Sequence, residues 1–229
     1  FERSAGSWPA NETATLVTSD AAGGQFGAGV AISGTTAAVG APYREAGGGL
    51  QPGAVYVFER DDSGAWNEAA ILTPSEPVTD LELGRVVAVD GDTIAVSAPN
   101  YSEVASFAGA VFVFSRDESG SWHETQRIEP PDIAASDNFG ESIDISGDVM
   151  VIGSESGDTQ SVVDSGAAYV YRRNAGGDWI QITKLAAPSP AAGADFGGAV
   201  AVSGSRVLVG ADRASPGGLN EAGEGYVFE

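Results

Sequence analysis

The 229 residues carry 32 acidic and 11 basic side chains, a formal net charge of −21, and no cysteine. Such a charge disfavours binding to DNA, RNA or anionic membranes, because like charges repel. The absence of cysteine excludes disulfides, thiolate metal sites and cysteine nucleophiles, and no run of 18 apolar residues is present to span a membrane.

Two origins explain so acidic a composition. Ten of the eleven basic residues are arginine and Lys184 is the only lysine, a pattern typical of salt-loving organisms, in which dissolved salt screens the repulsion. An ordinary acidic secreted protein is the other origin, and composition leaves both open. The chain starts at Phe1 and shows no signal pattern, which we interpret as processing or as trimming from a longer protein.

The chain is a tandem repeat. Two independent markers, the tryptophans and a Phe/Leu-Gly pair, recur with a common spacing of 56 to 58 residues, and a fixed period of this length indicates a repeat architecture. The markers are Trp8, Trp66, Trp122 and Trp179, together with Phe26-Gly27, Leu83-Gly84, Phe139-Gly140 and Phe196-Gly197.

Each repeat predicts four strands and no helix of consequence, because no segment keeps a 3.6-residue apolar period. The first strand is rich in small residues and ends in a tight turn such as Asp90-Gly91-Asp92, which suits a two-residue hairpin. The third, after a long variable loop, is β-branched and aromatic, as in a strand covered on both faces. The predicted first strands are 30–32, 87–89, 143–145 and 200–202; the second are 36–39, 93–96, 149–152 and 206–209; the third are 54–58, 110–114, 167–171 and 225–228; the fourth are 66–72, 122–128 and 179–185.

Four-stranded antiparallel units in tandem are typical of a β-propeller, whose blades pack face to face. We predict an all-β, single-domain propeller with four blades at about 26–82, 83–138, 139–195 and 196–229 plus 1–25. Residues 1–8 repeat the end of a third strand, the hairpin and the start of a fourth. The N-terminal strand is therefore expected to complete the C-terminal blade and close the ring, which removes an exposed sheet edge. A four-repeat piece of a longer array is the alternative.

The repeats resemble the FG-GAP family, known from integrin α-subunits and bacterial surface proteins. Phe26-Gly27 followed by Gly40-Ala41-Pro42 matches the motif literally, and the bacterial version continues with Gly-Ala-Val-Tyr-Val-Phe-Glu-Arg, here residues 53–60. The resemblance spans the whole chain and implies a propeller with an extracellular binding or adhesion role. Two departures stand out: the repeat number is four where seven is usual, and short turns such as Ser33-Gly34-Thr35 cannot wrap the calcium ion that related loops hold.

Catalysis finds little support in the sequence. The single histidine, His123, lies at the start of an outer strand, and no Gly-x-Ser-x-Gly motif is present. The tryptophans and the repeated arginines occupy the same place in each repeat, which favours a structural role. These arginines are Arg3, Arg60, Arg116 and Arg173.

Residues that depart from the repeat are the candidate functional residues. Arg85, Glu141 and Asp144 replace small residues of the inner strands, so we place them at the central channel, with an Arg85–Glu141 ion pair or a structural plug as the interpretations. Loops between second and third strands vary freely, and propellers usually bind ligands there. The ligand-binding candidates on these loops are Tyr43, Arg44, Tyr101, Asp158, Asp164, Asp212 and Arg213.

The sequence therefore predicts a non-catalytic, secreted or surface-displayed module that binds a glycan or protein through its loop face. Alternatives are a structural segment of a larger surface protein and, third, a polysaccharide-acting enzyme. We predict no metal site and no cofactor, with calcium left open although no loop motif matches it. We expect the chain neither to bind nucleic acid nor to insert into a membrane, and we expect it to be a monomer or part of a larger array.

Overall fold

A computed structural model describes residues 12–20, 23–46, 51–76, 79–101, 105–159 and 162–229. Their fifteen strands form four antiparallel sheets that follow one another along the chain. The predicted all-β class is confirmed, and helical structure in the described part of the chain is limited to the 3₁₀ turn Pro216–Gly218. Within the same ranges, no helix is long and apolar enough to cross a membrane.

Sheets 1 to 3 are four-stranded meanders, and sheet 4 has three strands among the described residues. Sheet 1 contains β1 Val30–Ser33, β2 Thr36–Ala41, β3 Ala54–Arg60 and β4 Trp66–Leu72; sheet 2 contains β5 Val87–Asp90, β6 Thr93–Ala98, β7 Ala110–Arg116 and β8 Trp122–Ile128; sheet 3 contains β9 Ser142–Ser146, β10 Val149–Ser154, β11 Ala167–Arg173 and β12 Trp179–Leu185; sheet 4 contains β13 Phe196–Ser203, β14 Arg206–Ala211 and β15 Glu224–Phe228.

The predicted strands are confirmed with small shifts at their ends, because the residue pattern repeats from sheet to sheet. The third and fourth strands also share an irregularity: their register shifts after Val57, Val113 and Val170, at the same position in each sheet. Because the bulge recurs at one position, it is a regular part of the repeat, and it increases the local twist of each sheet.

Consecutive sheets pack face to face around three apolar layers. Val55 and Val57 of sheet 1 meet Phe112 and Phe114 of sheet 2, and equivalent residues fill the next two layers. The first strands β1, β5, β9 and β13 neighbour one another in that order and form the inner edge of the array. Their small residues permit this close approach, as the sequence predicts for a crowded axis.

The two glycines of the repeat meet at two of the three boundaries between sheets, and at the boundary of sheets 2 and 3 Ser97 takes the place of the second glycine. The glycine of the Phe-Gly turn has a φ of +97° to +103° in all four copies, a conformation that side chains disfavour. Where the turn of sheet 2 crosses sheet 1, a Cβ on Gly40 would lie 1.8 Å from the carbonyl oxygen of Gly84. The matching distance from Gly153 to the Gly197 oxygen is 1.9 Å. Both glycines are therefore required by packing.

The segment 12–20 contacts sheet 1 in the same way that the connection after sheet 1 contacts sheet 2. Ser19 N–H donates to Glu68 at 3.0 Å, and Ser75 N–H donates to Glu124 at 2.7 Å one repeat later. Leu16 packs against the outer apolar face of sheet 1. The predicted closing strand falls partly on residues 1–11, outside the described residues, and residues 12–20 form no strand.

Candidate functional site

The meander places two kinds of connection at opposite ends of each sheet. Loops between second and third strands, and the connections between sheets, share one end, here called the loop end. First-to-second-strand turns and third-to-fourth-strand hairpins share the other, the hairpin end. All seven ligand-binding candidates lie in loop-end segments, but they belong to four different sheets.

In sheet 1, Arg44 is fixed by two partners. Its Nε and Nη2 donate to Asp20 at 3.1 and 2.8 Å, and its Nε also donates to the Tyr56 hydroxyl at 3.0 Å. The Tyr56 hydroxyl in turn donates to Asp20 at 2.6 Å. Burial and the Asp20 hydrogen bond raise the pKa of Tyr56 to about 12. The network ties the N-terminal segment to sheet 1.

A cavity of about 460 Å³ lies beside this network, lined by Arg44, Glu45, Ala46, Pro52, Ile71, Thr73 and Pro74. Tyr43 precedes it and is half-buried. The cavity combines an apolar wall with an arginine held in place, which are features of a small recognition site.

Tyr101 lies in the core of sheet 2 rather than at its surface. Its side chain is almost completely buried and packs edge-on against Phe112, with ring centroids 6.0 Å apart. The Arg127 guanidinium lies 4.8 Å from the centre of the Tyr101 ring. The Arg127 guanidinium therefore covers the buried Tyr101 ring.

In sheet 3, the structure links Asp158 to Asp164. The Asp164 N–H donates to the Asp158 carboxylate at 3.0 Å, and both side chains are exposed. Lys184 Nζ donates to the Asp158 carbonyl at 2.8 Å and to Asp132 at 2.7 Å. It lies 4.9 Å from the centre of the Tyr169 ring. The only lysine of the sequence thus lies beside Asp132 and Asp158 at the loop end.

Asp137 is a buried carboxylate that the sequence reasoning missed. Leu81 and Ala194 hold the equivalent position in the neighbouring repeats, so a charge replaces a core side chain. Burial raises the pKa of Asp137, the Ala134 N–H bond lowers it, and Asp158 raises it further. Alignment of the position two residues before each Phe-Gly or Leu-Gly pair would have revealed it.

In sheet 4, Asp212 and Arg213 line a cavity of about 480 Å³. Arg213 Nε contacts Asp195 at 3.1 Å. Burial, and then the neighbouring carboxylates Glu141 and Asp195, raise the pKa of Glu155 on the same wall. The other lining residues are Gly198, Ala199, Gly210, Ala211, Ala222, Gly223 and Glu224.

The three channel candidates contact neighbouring backbone and side chains. Arg85 donates to Glu82 of its own sheet at 3.0 Å. That bond raises the pKa of Arg85, with a further contribution from the charge of Glu141. Asp144 accepts the Val202 N–H at 2.7 Å, which joins the inner strands of sheets 3 and 4.

At the hairpin end, His123 Nε2 lies 2.9 Å from Asp117, whose other oxygen accepts the Ser119 and Ser121 N–H groups. Asp61 holds the equivalent hairpin of sheet 1 in the same way. Such carboxylate caps close turns, so the histidine extends a structural motif. In sheet 3 the tryptophan is also structural: Gln126 bonds the Trp179 backbone N–H at 2.7 Å and its carbonyl at 2.9 Å. Trp8 and Arg3 lie outside the described residues.

The hairpin carboxylate gives a testable pH dependence. The Ser63 hydroxyl, the Ala65 N–H and the Asn67 amide lower the pKa of Asp61 to about 2. Because the folded pKa is depressed, the ionised form stabilises the fold above the unfolded value near pH 4, and that contribution is lost as pH falls through about 2. We expect ¹³C NMR of the Asp61 carboxyl to titrate near pH 2, and Asn67→Ala to raise the midpoint. A wild-type midpoint near 4 would show that the cap is absent in solution.

Among the residues described, no three acidic or histidine side chains converge in a way that could hold a metal ion. The structure therefore brings together Tyr43 with Arg44, Asp158 with Asp164, and Asp212 with Arg213. These three pairs form separate patches at the loop end.

Comparison with protein-family models identifies four consecutive matches to the FG-GAP repeat, at residues 10–58, 66–114, 122–171 and 179–228. Each match begins in an outer strand and ends in the third strand of the next sheet, apart from the first, whose opening residues precede sheet 1. A search of curated proteins returns no significant match. FG-GAP repeats are generally non-catalytic, often mediate protein binding and typically occur in extracellular or surface proteins. With most of its length covered by four copies of the motif, the chain belongs to the FG-GAP repeat family.

Proposed function

We propose that this chain is a non-catalytic extracellular binding module that recognises a protein or glycan through its loop end. The observation that supports this is the contrast between the two halves of each repeat. Contacts between sheets recur at Gly40 and Gly153 with nearly the same distance, whereas the loop end offers a different set of side chains on every sheet. Variable loops on a repeated scaffold are where binding residues concentrate.

The negative charge of the chain and of its loop end favours one class of ligand. Asp158, Asp164 and Asp212 are exposed carboxylates at the loop end, and the chain as a whole carries −21. Long-range attraction therefore favours partners with basic groups, and carboxylates also accept hydrogen bonds from sugar hydroxyls. A protein with a basic surface is the first candidate, and a neutral or amino-substituted glycan is the second. No cofactor is proposed.

Binding should depend on loop-end side chains and not on hairpin-end ones. On a glycan array and on a panel of basic peptides, we expect saturable binding that Tyr43→Ala and Asp158→Ala each weaken by about tenfold, the loss of one charged or packed contact. Asp62→Ala, an exposed change at the hairpin end, is the matched control and should bind like the wild type.

Saturable binding that survives both loop-end changes, or that is lost in Asp62→Ala, would contradict the assignment of the loop end. Repeating the assay with EDTA tests whether calcium contributes. His123, paired with Asp117 at the hairpin end, is remote from the proposed site, so catalysis is not part of this proposal.

A structural role as a segment of a larger surface assembly is the second candidate function. The observation that favours it is the exposure of large apolar side chains at both ends of the array, on β1 and on β14 and β15. Exposed apolar patches of this kind mark interaction surfaces.

We also propose that an N-terminal strand completes sheet 4. In sheets 1 to 3, Val57, Val113 and Val170 face Ala70, Gln126 and Thr183 of the fourth strand. The N-terminal segment matches the later repeats with an offset of 56 residues, which equates Ser19 with Ser75 and Ala14 with Ala70. By that register, Val227 on the edge of β15, which has no strand partner among the described residues, faces Ala14. Closure of a four-bladed ring by the same chain stays a prediction, because residues 12–20 lie on sheet 1 without strand pairing.

A further inference from the structure

The cavity of about 480 Å³ beside sheet 4 lies where each earlier sheet receives the Phe-Gly or Leu-Gly turn of its successor. Four of its lining residues, here called the socket, are Ala199, Gly210, Ala222 and Gly223. They are the sheet 4 counterparts of Gly29, Gly40, Pro52 and Gly53. In sheet 1, these four positions contact the next turn directly: Leu83 N–H donates to the Pro52 carbonyl at 3.0 Å, and Leu83 forms a parallel bridge with Gly53.

Steric requirements differ between the filled sites and the socket. A Cβ on Gly53, Gly109 or Gly166 would lie 2.4, 2.3 or 2.1 Å from the carbonyl oxygen of the next Leu83, Phe139 or Phe196. On Gly210 the nearest atom would be the Ala199 Cβ at 3.5 Å, and on Gly223 the Asp212 oxygen at 3.2 Å. Gly223 is the counterpart of those three glycines, so the described chain leaves free at Gly223 the space that a docked turn would fill.

Apolar side chains flank the socket on the uncovered face of sheet 4. Leu208 and Val227 are 47% and 65% exposed, whereas their counterparts Ala38 and Val57 are completely buried. The opposite end of the array carries the other half of the contact. Val30 and Ile32 are 69% and 66% exposed, whereas their counterparts Ile143 and Ile145 are buried between sheets 2 and 3.

Charges at the two ends also match. Between sheets 1 and 2, Arg116 contacts Glu59 at 3.2 Å. Arg60 is the counterpart of Arg116 at the front of the array, and Glu229 is the counterpart of Glu59 at its back. A head-to-tail contact that repeats the internal geometry would bring Arg60 to Glu229, whose carboxylate also accepts a hydrogen bond from Arg206 Nε at 2.9 Å.

We propose that the socket receives the Phe26-Gly27 turn of a second copy of this chain, in a head-to-tail contact that continues the internal sheet-to-sheet packing. A second copy fits because the inner strands adjoin in the order β1, β5, β9 and β13, while among the described residues Val30 at one end face and Val227 at the other stay exposed. The second copy would also bring its N-terminal segment to the β15 edge. A head-to-tail contact is heterologous, so it builds a ring if the rotation closes and a filament if it does not.

Sedimentation velocity of the full chain over a wide concentration range tests this proposal, at low salt and in molar NaCl because the net charge of −21 opposes association. We expect the wild-type mass to rise with concentration above the monomer, more steeply in molar salt. Leu208→Lys should remain monomeric with a thermal midpoint close to the wild-type value, since Leu208 is 47% exposed in one chain, whereas its counterpart Ala38 is completely buried between two sheets.

A reciprocal charge exchange supplies a second variant set. Glu229→Arg and Arg60→Glu should each weaken self-association. When the two variants are mixed, the new arginine of one can pair with the new glutamate of the other, so the mixture should associate more strongly than either variant alone. A wild-type monomer under all conditions, or association unaffected by Leu208→Lys, would overturn the proposal. A monomer that Leu208→Lys destabilises would instead show this face of sheet 4 covered by the same chain, and would also overturn it.

Discussion

Replacing Gly40 with alanine should lower the free energy of unfolding by about 3 kcal/mol or more, the upper part of the usual range for overpacking. The added Cβ would lie 1.8 Å from the Gly84 carbonyl oxygen, so the two backbones must separate by more than an ångström. That separation opens the apolar layer between sheets 1 and 2 around Val55 and Phe112. The layer is too closely packed to absorb the shift.

Gly210→Ala is the matched control, because it makes the same change at the same position of the last sheet, where the nearest atom would be 3.5 Å away. Urea denaturation followed by circular dichroism measures both variants. We expect the Gly40→Ala midpoint to fall far below the wild-type value while Gly210→Ala stays close to it. Equal midpoints for the two variants would show that the contact between the repeat glycines does not hold the sheets together.

Phe139→Ala should cost about 3–5 kcal/mol, as expected for removal of a completely buried phenylalanine. The Phe139 ring packs edge-on against Tyr169 and Tyr171 of sheet 3, with ring centroids 5.3 and 6.5 Å away. Its backbone joins sheet 2, since the Phe139 N–H donates to the Ala108 carbonyl at 2.9 Å. Loss of the ring leaves a cavity at the boundary between two sheets.

Phe26→Ala is the control, because Phe26 holds the same place in the repeat as Phe139 but belongs to the first sheet of the array. Phe26 makes the equivalent edge-on contact with Tyr56, at 5.4 Å, but it is only half-buried because no sheet of the described chain precedes it. We expect Phe26→Ala to cost clearly less than Phe139→Ala in the same urea experiment. A larger cost for Phe26→Ala at a concentration where the chain is monomeric would contradict the positions given to these two phenylalanines.

The scaffold could be predicted from the sequence because each of its constraints is repeated. The glycine of Phe26-Gly27 needs a positive φ and recurs in all four repeats, and Gly40 needs room for the next turn and recurs in three of them. Trp66 marks the start of an outer strand for the same reason, since each outer strand begins at the close of a short hairpin. Local turn chemistry and alternation then give the strand bounds.

The candidate site was less predictable because single substitutions carry it. A tyrosine in a variable loop suggests a ligand contact, yet Tyr101 is buried by its neighbours Phe112 and Arg127, which the local sequence does not reveal. The burial of Asp137 was not predicted for the opposite reason. An aspartate next to Asn138 resembles part of a solvated loop, and only its position in the fold shows that it is buried. Tertiary packing decides both cases.

Repeat periodicity also does not determine what covers the first and last sheets. Val30 and Leu208 have the composition of core residues and yet are exposed. The same pattern would suit a closed ring, a longer array or association between copies. These differ in which β-strand pairs with β15, and that pairing can be measured directly.

A two-cysteine variant, Ala14→Cys with Val227→Cys, provides this measurement in a chain that otherwise has no cysteine. The two positions face each other if the register of the other sheets is continued, and directly opposed strand residues lie within reach of a disulfide. After mild oxidation, non-reducing electrophoresis and intact mass should show dimers and larger species joined head to tail, and Leu208→Lys in the same background should suppress them. A monomer whose two cysteines are joined to each other would contradict association between copies.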